Sequence, residues 1–136
     1  MKTYVRSPET IVAAIEKWLE EKASAAKAKG CVVGLSGGID SALVAVLLRR
    51  AFGTNMLGVI MPCHSLSEDQ QDAEKLIELF SIPSTVVDIT ATYDTLVQRL
   101  KETNVYINPL ALANIKPRLR MTTLYTLAQS MGYLVF

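Results

Sequence analysis

The stretch that decides the fold is GLSGGIDS, Gly34 to Ser41, set directly behind the apolar Cys31-Val32-Val33. Cys31 to Leu35 is short, mostly apolar and holds two β-branched valines, so it reads as a buried strand. From Asp40 or Ser41 the pattern ALVAVLLRRAF reads as a helix. A glycine turn between strand and helix lets the backbone bend sharply and approach a ligand. The helix N-terminus then offers unpaired N–H groups and a positive dipole end to an anion.

Phosphate is the natural anion, but neither familiar phosphate loop fits. The Walker pattern GxxxxGK[ST] requires a lysine where this chain has Asp40, just before Ser41, and the dinucleotide pattern GxGxxG is absent. A carboxylate at the mouth of a phosphate loop repels phosphate unless a cation lies between them. Asp40 is therefore read as a Mg²⁺ ligand, the metal bridging carboxylate and phosphate. Ser36 and Ser41 add hydroxyl donors. The arrangement suits a pyrophosphate group. The bland alternative is an ordinary strand–helix turn with Asp40 as a helix cap. The intact SGGxDS pattern, placed between strand and helix, favours the phosphate loop.

Working outward, Ser7-Pro8-Glu9 carries a cap, a first-turn proline and an acidic residue suited to a helix start. Ile11, Ile15, Trp18 and Leu19 continue at helical spacing, and Gly30 is the expected stop. Met56 to Met61 reads as a second buried strand, ended by Pro62. A helix is expected from Ser67, with Ser67 and Gln70 as a capping box and Glu68 and Asp69 in its first turn. Thr85 to Ile89 is a third strand, Thr92 to Leu100 a weaker helix, and Thr103 to Pro109 a loop. A helix over about Ile115 to Met131 precedes a fourth strand, Tyr133 to Phe136. Strands alternating with helices imply an α/β fold: a doubly wound, Rossmann-like parallel sheet of about four strands, with helices on both faces. Ligands of such sheets bind beyond the carboxyl ends of the strands.

Composition narrows the function. The 136 residues fit one domain, half of them hydrophobic. Fourteen Lys and Arg against 13 Asp and Glu leave a net charge of +1, without the broad basic footprint of a nucleic-acid binder. The single His64 and the two cysteines, Cys31 and Cys63, form no CxxC and no zinc pattern. The cysteines read as reduced core or site-wall residues of a cytoplasmic protein. MKTYVRSPET lacks a signal peptide's apolar segment, and no run reaches the roughly 18 apolar residues of a membrane helix.

SGGIDS resembles the SGGxDS loop of the ATP pyrophosphatase (PP-loop) superfamily, whose members cleave ATP to AMP and pyrophosphate while adenylating a substrate. Three further segments resemble its NAD synthetase branch: LGVIMPCHS (Leu57 to Ser65) followed by Asp72-Ala73, the weakly matching VVDIT (Val86 to Thr90), and LALANIKPRLRMTTLYTLAQ (Leu110 to Gln129). The last is similar to the family's NxKARxRM helix, with Arg118 at the position of the arginine that contacts deamido-NAD. Pro117 stands where the family has alanine. Proline is tolerated only in the first helical turn, so that helix should begin near Asn114 or kink there. On a helix Lys116 and Arg120 share a face, while Arg118 lies about 200° away.

The resemblance implies an ammonia-dependent ligase using ATP and Mg²⁺. Gly34, Leu35, Ser36, Gly37, Gly38, Ile39, Asp40 and Ser41 would hold ATP, Asp40 the metal and Arg118 deamido-NAD. Asp40 and Ser36 are the residues expected to carry catalysis; His64 is expected to be a site-wall or surface residue. Partners implied are deamido-NAD, ammonia and a second copy of the chain, with no nucleic acid and no membrane. The family's later GTxNxxE segment has no counterpart here, so residues 1–136 are expected to form one domain resembling the first half of the enzyme. The alternatives are a nucleotide-binding module without catalysis and another PP-loop enzyme. A tRNA-thiolating enzyme would be expected to carry catalytic cysteines or a basic surface.

Overall fold

Local chemistry sets the element boundaries in the computed structural model, which describes residues 7–65 and 67–136. Ser7 Oγ accepts the N–H of Thr10 and Pro8 follows, opening helix α1 (Pro8–Ala25). The helix stops short of Gly30 because the chain turns at Lys27, where φ is 54°. Gly30 serves packing instead. A Cβ there would lie 2.8 Å from Tyr133 Cζ and press on the Asn55 carbonyl.

Then follow β1 (Cys31–Leu35), α2 (Ile39–Phe52), β2 (Met56–Ile60), α3 (Ser67–Phe80), β3 (Ser84–Val86), α4 (Thr90–Lys101), α5 (Pro109–Ala113), α6 (Ile115–Met131) and β4 (Leu134–Val135). The four strands form one parallel sheet in the order β3-β2-β1-β4. Cys31 to Leu35 pair in register with Met56 to Ile60. The doubly wound α/β class expected from the sequence is the fold observed.

The two outer strands are shorter than their apolar runs, yet their backbone bonds continue. Val87 N donates to Ile60 O and Ile89 N to Pro62 O beyond β3. Phe136 N donates to Val32 O beyond β4. The expected Ser67–Gln70 capping box does not form. The Gln70 amide donates to Glu74 Oε1, one turn onward. Helix α5 was outside the sequence expectation, although Asn108 Oδ1 accepts the Ala111 N–H and Pro109 opens the turn. Pro117 is the third residue of α6, inside the first turn, where no intrahelical partner is required of its nitrogen.

Strand alternation divides the core in two. Cys31, Val33 and Leu35 face Leu19 of α1, Leu47 and Leu48 of α2 and Ala73 of α3. Val32 and Val59 face the other way, toward Ala128, with Leu119, Leu124 and Leu127 of α6 and Tyr93 of α4 packed around them. Burying one such side chain contributes about 1.5–3 kcal/mol. Among the described residues no polar or charged side chain is buried, so the chemistry of this chain lies at its surface and clefts.

Candidate active site

The glycine loop links the end of β1 to α2, and its own atoms define its shape. Gly38 is the N-cap of α2, with φ −79° and ψ 156°. The Ser41 hydroxyl donates to the Gly38 carbonyl at 3.0 Å. Its single proton is thus used, so Ser41 Oγ accepts from the Ser36 hydroxyl at 2.9 Å and from the Ser36 N–H at 3.2 Å. Ser36 Oγ in turn accepts the Gly38 N–H at 3.3 Å. The two hydroxyls that the sequence offered as donors are engaged within the loop. The backbone N–H groups of Gly37, Ile39, Asp40 and Ser41 have no partner among the described residues, and the first bond of α2 runs from Ala42 N to Gly38 O.

Gly37 fixes the loop against α3. It has φ 81°, and a Cβ there would stand 2.8 Å from Asp69 Cα and press on the Asp69 carbonyl. Neither contact can yield, because both partners are backbone atoms. The sequence placed Asp69 in the first turn of α3; the tertiary fold brings that turn against the loop.

A cleft of about 390 Å³ opens at the carboxyl ends of β1 and β2. Gly34, Leu35 and Ser36 line it from β1 and the loop, and Ile60, Met61, Pro62 and Ser65 from β2 and the following turn. Asp69 and Gln70 of α3 and Arg120 and Leu124 of α6 complete it. Gly34 leaves room on this side: its Cβ position lies 3.2 Å from Met61 Cε and 3.5 Å from Leu124 Cδ1.

The expected site residues divide into two groups. Residues 34–36 line the cleft; Gly37 to Ser41 continue it as the loop and the first turn of α2, with Asp40 exposed at the positive end of that helix. Arg118 lies apart, exposed, its Nη1 donating to Asn114 O at 3.1 Å on its own helix. Lys116 and Arg120 face inward, as helical spacing requires. Lys116 Nζ sits 5.2 Å from the Tyr93 ring centroid, and Arg120 Nε donates to the Met61 carbonyl at 3.3 Å. The exposed His64 pairs with Asp94 through Nε2 and Oδ1 at 2.7 Å, away from the cleft lining. Ser65, Asp69 and Gln70 were not assigned to the site from sequence. Their signal was present in the turn after β2 and the first turn of α3, both carboxyl-end positions in a parallel sheet.

Among the described residues no group of three or more His, Cys, Asp or Glu side chains could hold a metal ion. One carboxylate still fits Mg²⁺, which keeps much of its shell for water and phosphate oxygens.

A parallel sheet, an SGGxDS loop at a helix N-terminus and a cleft at the strand ends define a doubly wound α/β domain with its cleft where such sheets take their ligands. The family model described as NAD synthase matches residues 11–136, and the chain belongs to that family. An NH(3)-dependent NAD(+) synthetase of Carboxydothermus hydrogenoformans is 50% identical over 119 residues, covering 87% of this chain and 49% of the relative. That of Finegoldia magna is 46% identical over 121 residues, covering 89% and 49%. The solved NH3-dependent NAD synthetase from Campylobacter jejuni, in complex with the nitrate ion, superposes with a TM-score of 0.86 at 30% identity, over 96% of this chain and 56% of that one. NMN synthetase from Francisella tularensis superposes with a TM-score of 0.88 at 31% identity, over 96% and 53%. The chain spans about half the length of the curated relatives it matches.

Proposed function

We propose that this chain serves NAD biosynthesis, in the ATP-dependent amidation of deamido-NAD by ammonia. In the proposed reaction the nicotinate carboxylate attacks the α-phosphorus of ATP, the α–β phosphoanhydride bond breaks and pyrophosphate leaves. Ammonia then attacks the acyl carbon of the adenylate, AMP departs and NAD remains. The observation that carries this reading is the loop: N–H groups with no partner among the described residues at the start of α2, beside the exposed Asp40 carboxylate, at the mouth of a cleft at the strand ends.

Each residue then has a task. The N–H groups of Gly37, Ile39, Asp40 and Ser41 take pyrophosphate oxygens, where the helix dipole adds to their pull. Ser36 and Ser41 hold those groups in place through their mutual hydroxyl bonds. Asp40 would hold Mg²⁺, which when bound would supply neutralisation of phosphate charge. Arg118 contacts deamido-NAD, as its family motif implies. Positioning and charge neutralisation carry the rate, and no general base is required of these residues. The protein works in the cytoplasm as a homodimer; the exposed α6 face of Arg118, Met121 and Tyr125 supports the dimer. Among the described residues no helix is long and apolar enough to cross a membrane.

Calorimetric titration with a non-cleavable ATP analogue and Mg²⁺ tests the reading. The chain is expected to bind in a Mg²⁺-dependent manner, and Asp40→Ala to lose at least tenfold in affinity, about one charge-assisted contact. Binding that ignores both Mg²⁺ and Asp40 sinks the metal assignment. A parallel assay of NAD formation from deamido-NAD and ammonia separates turnover from nucleotide binding without turnover. The mononucleotide counterpart belongs in that assay, because a relative of the same fold is named NMN synthetase.

A further inference from the structure

Among the described residues Arg120 is the one cation that lines the cleft, and Asp69 is the one carboxylate. The two make no ion pair, and no acidic side chain among the described residues pairs with Arg120. Its anchor is backbone. Met61 follows β2, and its carbonyl lies beyond the last residue that pairs with β1. Arg120 Nε donates to that carbonyl at 3.3 Å and so fixes the side chain across the strand ends. The contact uses one edge of the guanidinium; Nη1 and Nη2 have no hydrogen-bond partner among the described residues. The stem is held by α6, whose Leu119 and Leu124 pack on the sheet. A planar, partly buried donor fork in a cleft that Ser36 also lines, with no ion pair competing for it among the described residues, is built for an oxyanion.

We infer that Arg120 is a ligand-binding residue of the cleft, its terminal N–H groups taking a phosphate oxygen of a nucleotide bound there. The inference rests on the nucleotide reading above. It adds a residue to it, since Arg118 lies outside the cleft lining. The shared chemistry is a nucleotide phosphate, whether of ATP or of the dinucleotide substrate.

The test is calorimetry on the whole chain with three separate ligands: a non-cleavable ATP analogue with Mg²⁺, inorganic pyrophosphate with Mg²⁺, and deamido-NAD. Arg120→Met keeps much of the apolar stem, and Arg120→Gln keeps a polar end without charge. Arg99→Ala, which removes an exposed α4 cation paired with Glu102, is the control. Both Arg120 variants are expected to bind at least one phosphate ligand about 10- to 100-fold more weakly, with a flatter dependence on salt. The melting profile and near-ultraviolet circular dichroism show that they remain folded. Should Arg120→Met fail to fold, Arg120→Gln decides. Loss confined to the ATP analogue and pyrophosphate assigns the contact to ATP, and loss confined to deamido-NAD assigns it to the dinucleotide. If the wild-type chain binds and a folded Arg120→Gln binds all three ligands equally well, the assignment alone is overturned. If the wild-type chain binds none of them, the nucleotide reading fails and the assignment falls with it.

Discussion

Gly37 combines a φ of 81° with a Cβ direction aimed at the Asp69 backbone. An alanine there meets a left-handed conformation that costs about 1–2 kcal/mol before any collision is counted. The neighbour cannot rotate aside, because it is the first turn of α3. Gly37→Ala is expected to lower the melting temperature by several degrees and to weaken binding of the ATP analogue, both by shifting the loop. Unchanged affinity together with an unchanged melt would mean that the loop adjusts freely. Cys31 shows a different residue-scale constraint. It is fully buried on β1, and burial pushes its thiol up to about 12 from 9.0. The folded state therefore holds the proton more tightly than the unfolded chain. The resulting stability is full below about pH 9 and is lost as pH rises toward 12. Iodoacetamide at pH 8 is expected to modify Cys31 only after denaturant is added, with peptide mass as the readout; rapid native labelling would contradict its burial.

At the scale of elements, the helix starts carry the clearest local chemistry. Asp88 Oδ1 accepts the Thr90 N–H at 2.8 Å, where α4 begins. Hydrogen bonding from the Thr90 hydroxyl and then from its N–H, aided by the charge of His64, holds the Asp88 carboxyl below its ordinary 3.8. A depressed acid adds stability above its unfolded value, and that stability is lost as pH falls through the folded one. Asp88→Ala is expected to lower stability to urea at pH 6 and to have little effect at pH 2, since both chains then lack the carboxylate. An equal loss at both values would assign the effect to packing. The helix α5 has a full start signal in Asn108-Pro109, but it is only five residues long. So short a helix has almost no period to read, and its extent is decided by Asn114, which ends α5 and opens α6. Pro117 was legible, by contrast, because proline's fixed φ leaves it only the first turn.

At the scale of the whole molecule, α6 leaves an apolar face uncovered among the described residues. Met121 and Tyr125 of α6 are 53% and 59% exposed, and they share a face with Arg118. Leu110 of α5 and the nearby Tyr106 are more exposed still. Large apolar side chains exposed on one helix face favour association. The chain is expected to sediment as a dimer at micromolar concentration, and Met121→Glu with Tyr125→Glu to return it to monomer without lowering its melting temperature. A monomeric wild-type chain would leave that face without the proposed partner.

Residues 31–41 by themselves determined a strand, a glycine turn and a helix, and the alternation of strands and helices along the rest of the chain determined the α/β class. These properties follow from local sterics and from spacing along the chain, both of which a sequence states directly. The positions of the outer strands and the inward side of α6 were also legible, the latter from the four-residue spacing of Lys116 and Arg120. Only the tertiary structure decided which charged groups share a cavity. Asp69 reaches the loop because α3 packs its first turn on Gly37, and Arg120 reaches the strand ends because α6 lies across the sheet onto Met61, 59 residues earlier. Contacts at such separations depend on how layers stack rather than on any local preference, so the sequence marks the turn after β2 and the first turn of α3 as carboxyl-end positions but not which of their side chains meet Arg120 in one cleft.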